Sequence, residues 1–422
     1  MKKIYMNGLL LVGLIILIIG INAKWNSSVG DSSKAFAQTV QKGLLVTERE
    51  FEQVLTLQQR QPIYMKGDSF IKIGELEANQ PVVIIGQDEA YYELRLGKIT
   101  AFVRKEQAIV DRKKLTAFVH TERLAAIKTL QKTVVYTEAD LQSAALMHLE
   151  ADYRYPIVHE EKDWYIVKIG ERPGYIYKQS VTLDEGLPVL VYHHILPKSL
   201  METTNSTISL EAFEQQMNYL ADNQFKTLTT QQLYDYLEGR LIVPIHAVLI
   251  TFDDGLLSTR EYAYPILKQY GFTALQHIIS SRTNKAQGLQ NFDATGPLQF
   301  FTATDLAELA DVFQFEAHTY DLHSLHNGQG IALENSKEVI IMDLQRNIEQ
   351  VPNAISLAYP YGHYNEQFIA AAKEVGLLIG FTTKEGYANM SSSNYEVNRF
   401  GMTEKRSFEH FTTYVNGEMM WP

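Results

Sequence analysis

The 422-residue sequence contains no cysteine. Disulfides, thiolate metal sites and cysteine nucleophiles are therefore excluded, and any metal must be held by His, Asp or Glu. Positive charge is also scarce: 38 Lys and Arg face 49 Asp and Glu, for a formal net charge of -11. With no Lys/Arg stripe along the chain, nucleic acid is excluded as a partner. The His-Glu-x-x-His helix of a metalloprotease is absent too. Twelve prolines and 25 glycines leave no room for a dominant low-complexity region. What is present is globular, 45% hydrophobic and 21% charged, and long enough for two or three domains.

One long apolar run stands at the start. Lys2 and Lys3 precede Gly8 to Ile21, extendable to Ile4 and Ala23. A run of about 20 residues just spans a bilayer, and the two lysines put the N-terminus inside. Residues 1–24 are thus expected to form an uncleaved transmembrane anchor. A cleaved signal peptide, and so a secreted protein, is the competing reading, but Ile21 and Ala23 make a poor cleavage pair. Either way the body of the protein is expected outside the cytoplasm. The polar, Ser-containing stretch 25–60 reads as a linker, with a short helix around 47–58.

The next stretch repeats itself. Tyr91-Tyr92-Glu93-Leu94-Arg95-Leu96-Gly97 aligns with Trp164-Tyr165-Ile166-Val167-Lys168-Ile169-Gly170. Four residues past each glycine stand Ala101-Phe102 and Gly174-Tyr175, and Ile63-Tyr64 and Val135-Tyr136 open the two copies. A period of about 73 residues with short alternating strands implies two homologous all-β barrels, at 61–112 and 113–183. Their pattern resembles bacterial SH3-like domains, which implies either cell-wall binding or a spacer above the membrane.

From residue 184 to 422 the pattern becomes strand-helix alternation, which implies a parallel α/β sheet or barrel. Ser209 is placed to cap one helix, and Thr229 with Gln232 forms a capping box for another. Sites in such folds lie at the carboxyl ends of strands. Val248-Leu249-Ile250-Thr251-Phe252 reads as a buried strand, and it runs into Asp253-Asp254-Gly255. Adjacent buried carboxylates repel unless a cation or proton stands between them. Such a strand end can hold a metal with one carboxylate and keep the other as a base, although Asp and Gly also make ordinary turns. His318 and His323, five apart after another strand, can join Asp254 around one ion if their loop folds back. That set suits zinc first, with cobalt, nickel or iron(II) as alternatives. His193, Asp253, Asp254, His318 and Tyr361 all fall at or just past expected strand ends. His246, His277, His326, His363 and His410 read as surface or satisfied core histidines.

Thr-Phe-Asp-Asp-Gly at 251–255, His-Thr-x-x-x-His at 318–323 and Tyr359-Pro360-Tyr361-Gly362, in this order, resemble the motifs of polysaccharide deacetylases, the family 4 carbohydrate esterases with a NodB-like domain. Pro188 to Ile195, with His193-His194, resembles the permuted poly-N-acetylglucosamine deacetylase branch. The resemblance implies a distorted (β/α) barrel over 184–422. It implies that Asp254, His318 and His323 ligate a divalent metal, with Asp253 as general base and His193 as general acid. It further implies that the backbone N–H of Tyr361 stabilises an oxyanion and that Arg399 orients the base. The implied activity is metal-dependent de-N-acetylation of N-acetylglucosamine in peptidoglycan, a wall-polysaccharide linkage or poly-N-acetylglucosamine. The alternatives are an O-acetyl polysaccharide esterase and a non-catalytic wall-binding protein. Ala303 and Ala317 depart from the family pattern, as does the pair Gln276-His277, which replaces an apolar-aromatic pair.

Overall fold

The computed structural model describes residues 38–41, 44–67, 69–118, 125–283 and 288–418. The anchor expected at 1–24 lies outside them. No helix among the described residues is long and apolar enough to cross a membrane.

The repeat read from the sequence is visible as strand pairing. In the first copy Gln61–Lys66 pairs with Ile99–Arg104, placing Tyr64 opposite Phe102. In the second, Thr133–Tyr136 pairs with Arg172–Tyr177, placing Tyr136 opposite Tyr175. The same aromatic pair thus recurs at the same register. The copies are not separate beads, however. Phe70–Leu76 of the first pairs with Ala145–Leu149 of the second, and Leu96 bridges Ile169. Leu94, Val103, Val135 and Val167 share one hydrophobic core.

The linker and short helix expected before residue 60 are corrected. Leu44–Leu57 is a 14-residue strand, antiparallel to Ala108–Phe118. That partner also runs across the expected boundary at 112/113. Val54, Leu55 and Leu57 are fully buried in this pairing. Glu48 pairs with Lys114 at 2.8 Å, and Arg112 meets Glu50 and Glu52. Opposite charges across a ladder stabilise a strand as i,i+4 pairs stabilise a helix. The partner lies some 60 residues away, so local spacing favoured the wrong element.

The α/β domain is a parallel sheet of strands β1 (Val189–Tyr192), β2 (Lys226–Thr227), β3 (Ala247–Phe252), β4 (Ala274–Ile278), β5 (Phe313–Ala317), β6 (Ser356–Ala358), β7 (Ile379–Phe381) and β8 (Phe400–Gly401). Its order is β7-β6-β5-β4-β3-β1-β8, with β2 beside β3. Val397 bridges Phe381 in parallel, while Phe400 and Gly401 pair with Leu190 and Val191. The segment 397–401 therefore touches both ends of the sheet and closes it into the expected distorted barrel. Every residue of β3 and β4 is buried. Around the sheet pack helices α1 (Leu210–Asp222), α2 (Thr230–Leu237), α3 (Tyr264–Tyr270), α4 (Ala303–Glu308), α5 (Lys337–Gln350), α6 (Glu366–Glu374) and α7 (Phe408–Asn416). Ser209 caps α1, and the Thr229/Gln232 box caps α2, both as expected.

The β-modules are fastened to the barrel domain. Tyr153–Ile157 pairs with Val243–Pro244, and Ile242 enters the modules' core. Beneath this junction Arg154 meets Asp184 at 3.1 Å, both almost wholly buried, and the Tyr236 hydroxyl donates to the same carboxylate. Removing one partner of a buried pair leaves the other charge uncompensated. Arg154→Ala is expected to cost about 3–5 kcal/mol and to split calorimetric unfolding into two transitions. A single transition at the original temperature contradicts this junction.

Candidate active site

The barrel's strand ends bring together all seven residues expected at the site. In the β1–β3 register Tyr192 stands opposite Phe252, and the Asp253 N–H donates to the Tyr192 carbonyl at 3.0 Å. His193 and Asp253 thus leave adjacent strands at one level, and His193 Nε2 lies 4.0 Å from Asp253 Oδ2. His194 is taken up elsewhere, with Nδ1 2.7 Å from Ser258 Oγ.

Asp253 is 3% exposed and would not stay ionised unaided. Arg399, 1% exposed, grips it with two hydrogen bonds, from Nη1 to Oδ1 at 2.9 Å and from Nη2 to Oδ2 at 2.7 Å. Burial pushes the carboxyl's pKa up, but the Arg399 charge and its hydrogen bonds hold it well below the usual carboxylate range. Arg399 is itself held by the Thr382 carbonyl and Thr251 Oγ1.

Asp254, His318 and His323 form a triangle. Asp254 Oδ1 lies 3.4 Å from His318 Nε2 and 3.3 Å from His323 Nε2, and the two Nε2 atoms are 3.1 Å apart. Ligands about 2.0–2.1 Å from a tetrahedral ion stand about 3.3 Å from one another. The three donors therefore fit one divalent cation and leave a face open. The Nδ1–H of His318 donates to the Ala358 carbonyl at 2.7 Å, which turns the Nε2 lone pair toward that position. Burial and the neighbouring His318 charge lower the pKa of His323 to about 3. Asp254 is held at about 2, because the His318 hydrogen bond and the histidine charges outweigh burial. For His318 burial opposes charging, but Asp253 and Asp254 carry its pKa above 6.5.

The fold-back that lets histidines five apart converge comes from α5. Asp343 accepts the N–H groups of Tyr320 and Asp321 at 2.7 and 2.8 Å, and Asn347 donates to the Thr319 carbonyl. Asp254, Thr319 and Tyr361 have φ of 78°, 68° and 59°, left-handed values that non-glycine residues rarely adopt. Such strain gathers where a site is over-determined by its surroundings. Gly362 follows with φ 73°, and a Cβ there would lie 2.0 Å from Thr383 Oγ1. The hydrogen bonds of the Tyr361 turn are donated by the N–H groups of Gly362 and His363 to the carbonyls of Tyr359 and Pro360. The Tyr361 ring packs on His323 at 4.6 Å and is 41% exposed, forming the rim.

One reading is corrected. His277 is fully buried as a core histidine would be, but its neighbour is the site: Nδ1 lies 3.0 Å from Asp253 Oδ1. Burial lowers its pKa to about 4, so the ring is neutral. The signal was present, since Gln276 and His277 are the two polar residues of an otherwise apolar buried strand. The other four are surface or satisfied: His326 pairs with Glu334, His363 accepts the Gly330 N–H, His246 meets the Asn223 carbonyl and His410 meets Ser407.

The sequence profile of the family described as polysaccharide deacetylase matches residues 242–380. That span holds the triangle, Asp253 and Tyr361, but not His193 or Arg399. A poly-β-1,6-N-acetyl-D-glucosamine N-deacetylase of Staphylococcus aureus is 31% identical over 228 residues, covering 52% of this chain and 75% of that protein. The putative polysaccharide deacetylase YxkH of Bacillus subtilis is 29% identical over 230 residues, covering 54% and 76%. The solved structure of IcaB from Ammonifex degensii aligns with 56% of this chain and 98% of its own, at 26% identity and a TM-score of 0.47.

Two outcomes test the cation site. His318 must lose its proton to ligate, and its pKa stands above the ordinary value. Zinc affinity measured by calorimetric titration is therefore expected to fall about tenfold per unit as the pH drops below that raised value. Asp254 and His323, at about 2 and 3, add no slope until far lower pH. A pH-independent affinity contradicts the assignment, as does full zinc binding by His318→Ala.

Proposed function

The chain belongs to the polysaccharide deacetylase family, and from that premise we propose that it hydrolyses N-acetyl groups of N-acetylglucosamine in a cell-surface polysaccharide with the help of a divalent metal. The observation that carries this reading is the pairing of an ionised, Arg399-held Asp253 with the Asp254–His318–His323 triangle, with His193 Nε2 4.0 Å from Asp253 Oδ2.

The reaction breaks an amide C–N bond, forms a C–O bond from water, and releases acetate and an amine. Asp254, His318 and His323 would hold the cation, with zinc the first choice for two imidazoles and one carboxylate. When bound, a metal of this kind polarises the acyl oxygen and lowers the pKa of water toward 7. That matters for Asp253, because the Arg399 charge that keeps it ionised also makes it a weak base. Asp253 takes the proton of the attacking water. The N–H of Tyr361 donates to the oxyanion that forms as the carbonyl is attacked, a contact worth about 3 kcal/mol per donor in such sites. His193, 26% exposed and beside Asp253, protonates the departing amine. Its exposure at the barrel mouth suits a polymer that approaches from solvent.

The polymer named for the staphylococcal relative, poly-β-1,6-N-acetyl-D-glucosamine, is the first substrate to test, followed by peptidoglycan strands and wall-polysaccharide linkages. An extracytoplasmic place beside such glycans rests on the apolar run after Lys2 and Lys3. The two β-modules, if SH3-like, would hold the barrel domain against its polymer or above the membrane.

Acetate release by the purified chain, with zinc added or chelated, tests this reading on poly-β-1,6-N-acetylglucosamine, peptidoglycan and acetylxylan. The expected result is zinc-dependent release from an N-acetylated polymer. Asp253→Asn and His193→Ala are each expected to lower kcat about 10²–10⁴-fold. Release from acetylxylan alone would replace the amidase by an O-acetyl esterase. Zinc binding without release from any polymer would contradict the catalytic reading.

A further inference from the structure

Among the described residues, His277 is the one histidine that the mechanism above leaves without a role although it touches the reacting machinery. It sits in β4, at 0% exposure, and its two ring nitrogens meet two different groups. Nδ1 is 3.0 Å from Asp253 Oδ1 without a well-formed hydrogen bond to it, and Nε2 is 3.3 Å from Ser356 Oγ. The ring edge packs on Phe381 at 5.3 Å, and the Arg399 guanidinium lies 5.5 Å from the centre of the same phenyl ring. Ser356 is held in turn: Glu316, 3% exposed, accepts the N–H groups of Ile355 and Ser356 at 2.8 and 2.7 Å, and the Thr230 hydroxyl as well. A buried polar line therefore runs from Glu316 through Ser356 and His277 to Asp253.

The contact with a carboxylate decides where the ring proton sits. A bare Nδ1 lone pair 3.0 Å from Oδ1 would face another lone pair, which is repulsive. The neutral ring must therefore carry its hydrogen on Nδ1, and its bare Nε2 is then placed to accept from the Ser356 hydroxyl. With that hydrogen in place, Oδ1 of Asp253 accepts from Arg399 Nη1 and has the His277 N–H 3.0 Å away as a second polar contact. Oδ2 has Arg399 Nη2 alone and faces His193. The two carboxylate oxygens are no longer equivalent: Oδ1 is tied down and Oδ2 is left to work.

We propose that His277 is a positioning residue for Asp253, a neutral imidazole that pins Oδ1 through Nδ1–H in a tautomer favoured by the Asp253 carboxylate and completed by Ser356, so that Oδ2 is the oxygen presented to the attacking water. The proposal rests on the reading of Asp253 as the general base. The family resemblance does not supply it, because an apolar-aromatic pair is usual where Gln276 and His277 stand here.

Two measurements on the full chain test it. The first needs no turnover: the long-range ¹H–¹⁵N spectrum of the histidine rings, with His277 identified by its loss in His277→Phe. The expected spectrum has the His277 hydrogen on Nδ1, and a hydrogen on Nε2 overturns the proposal. This result stands even if the wild-type protein releases no acetate, which would sink the functional reading by itself. The second is zinc-dependent acetate release from poly-β-1,6-N-acetylglucosamine. His277→Phe keeps the ring volume but loses the N–H, and is expected to lower kcat about 10- to 100-fold with KM and zinc affinity unchanged. His277→Asn, whose amide N–H reaches the place of Nδ1–H, is expected to regain most of that loss. Unchanged kcat in the Phe variant, or an Asn variant as slow as Phe, overturns the proposal. Should His277→Phe fail to fold, Ser356→Ala takes its place, with the signal of His277→Asn identifying the ring. It is expected to mix the two tautomers and lower kcat severalfold, and an unchanged tautomer and rate count against the role.

Discussion

The buried pair of Arg399 and Asp253 is the constraint on which the rest of the barrel depends. Neither group has solvent to fall back on, and the fork of the guanidinium must meet both carboxylate oxygens at once. Arg399 comes from the segment that joins β7 to β1 and closes the sheet. Asp253 follows β3, which lies between β1 and β4. The segment that closes the barrel thus also supplies the countercharge that keeps Asp253 ionised. An open barrel would leave Asp253 buried without a countercharge, and a neutral Asp253 would leave Arg399 stranded in the core.

Around that pair the chain holds its functional groups by over-determination. Three left-handed residues, Asp254, Thr319 and Tyr361, lie within or beside the Asp254–His318–His323 triangle. Two of them, Thr319 and Tyr361, are fixed from outside their own loops. Asp343 and Asn347 of α5 hold the loop after β5, and the missing Cβ of Gly362 lets the Tyr361 turn settle against Thr383. Helix α5 thus does for the histidine pair what Arg399 does for the base. The site keeps its shape because remote elements supply the hydrogen bonds that its own strained backbone does not.

Much of this was legible in the sequence, and the boundary of legibility is physical. The strand ending in Asp253-Asp254, the caps at Ser209 and Thr229, and the repeat at about 73 residues are local patterns. Local geometry then reproduced them. The seven residues that meet at the strand ends were named from motifs whose order and spacing survive folding. The strand at Leu44–Leu57 was not legible, because its partner and its countercharges come from Ala108–Phe118. Nor was the role of His277, which depends on β4 lying beside β3 and on which nitrogen faces Asp253. A polar pair inside an apolar strand marked the place without naming the partner.

The central claim is that one cation position, one base and one oxyanion contact share the mouth of this barrel. Anomalous diffraction at the zinc edge, from crystals grown with zinc and acetate, tests it most directly. The account predicts a single strong peak bounded by Asp254, His318 and His323. It also predicts an acetate with one oxygen at the Tyr361 N–H and its carboxyl carbon beside Asp253 Oδ2. A peak at other residues, or an acetate bound away from Tyr361, would contradict it.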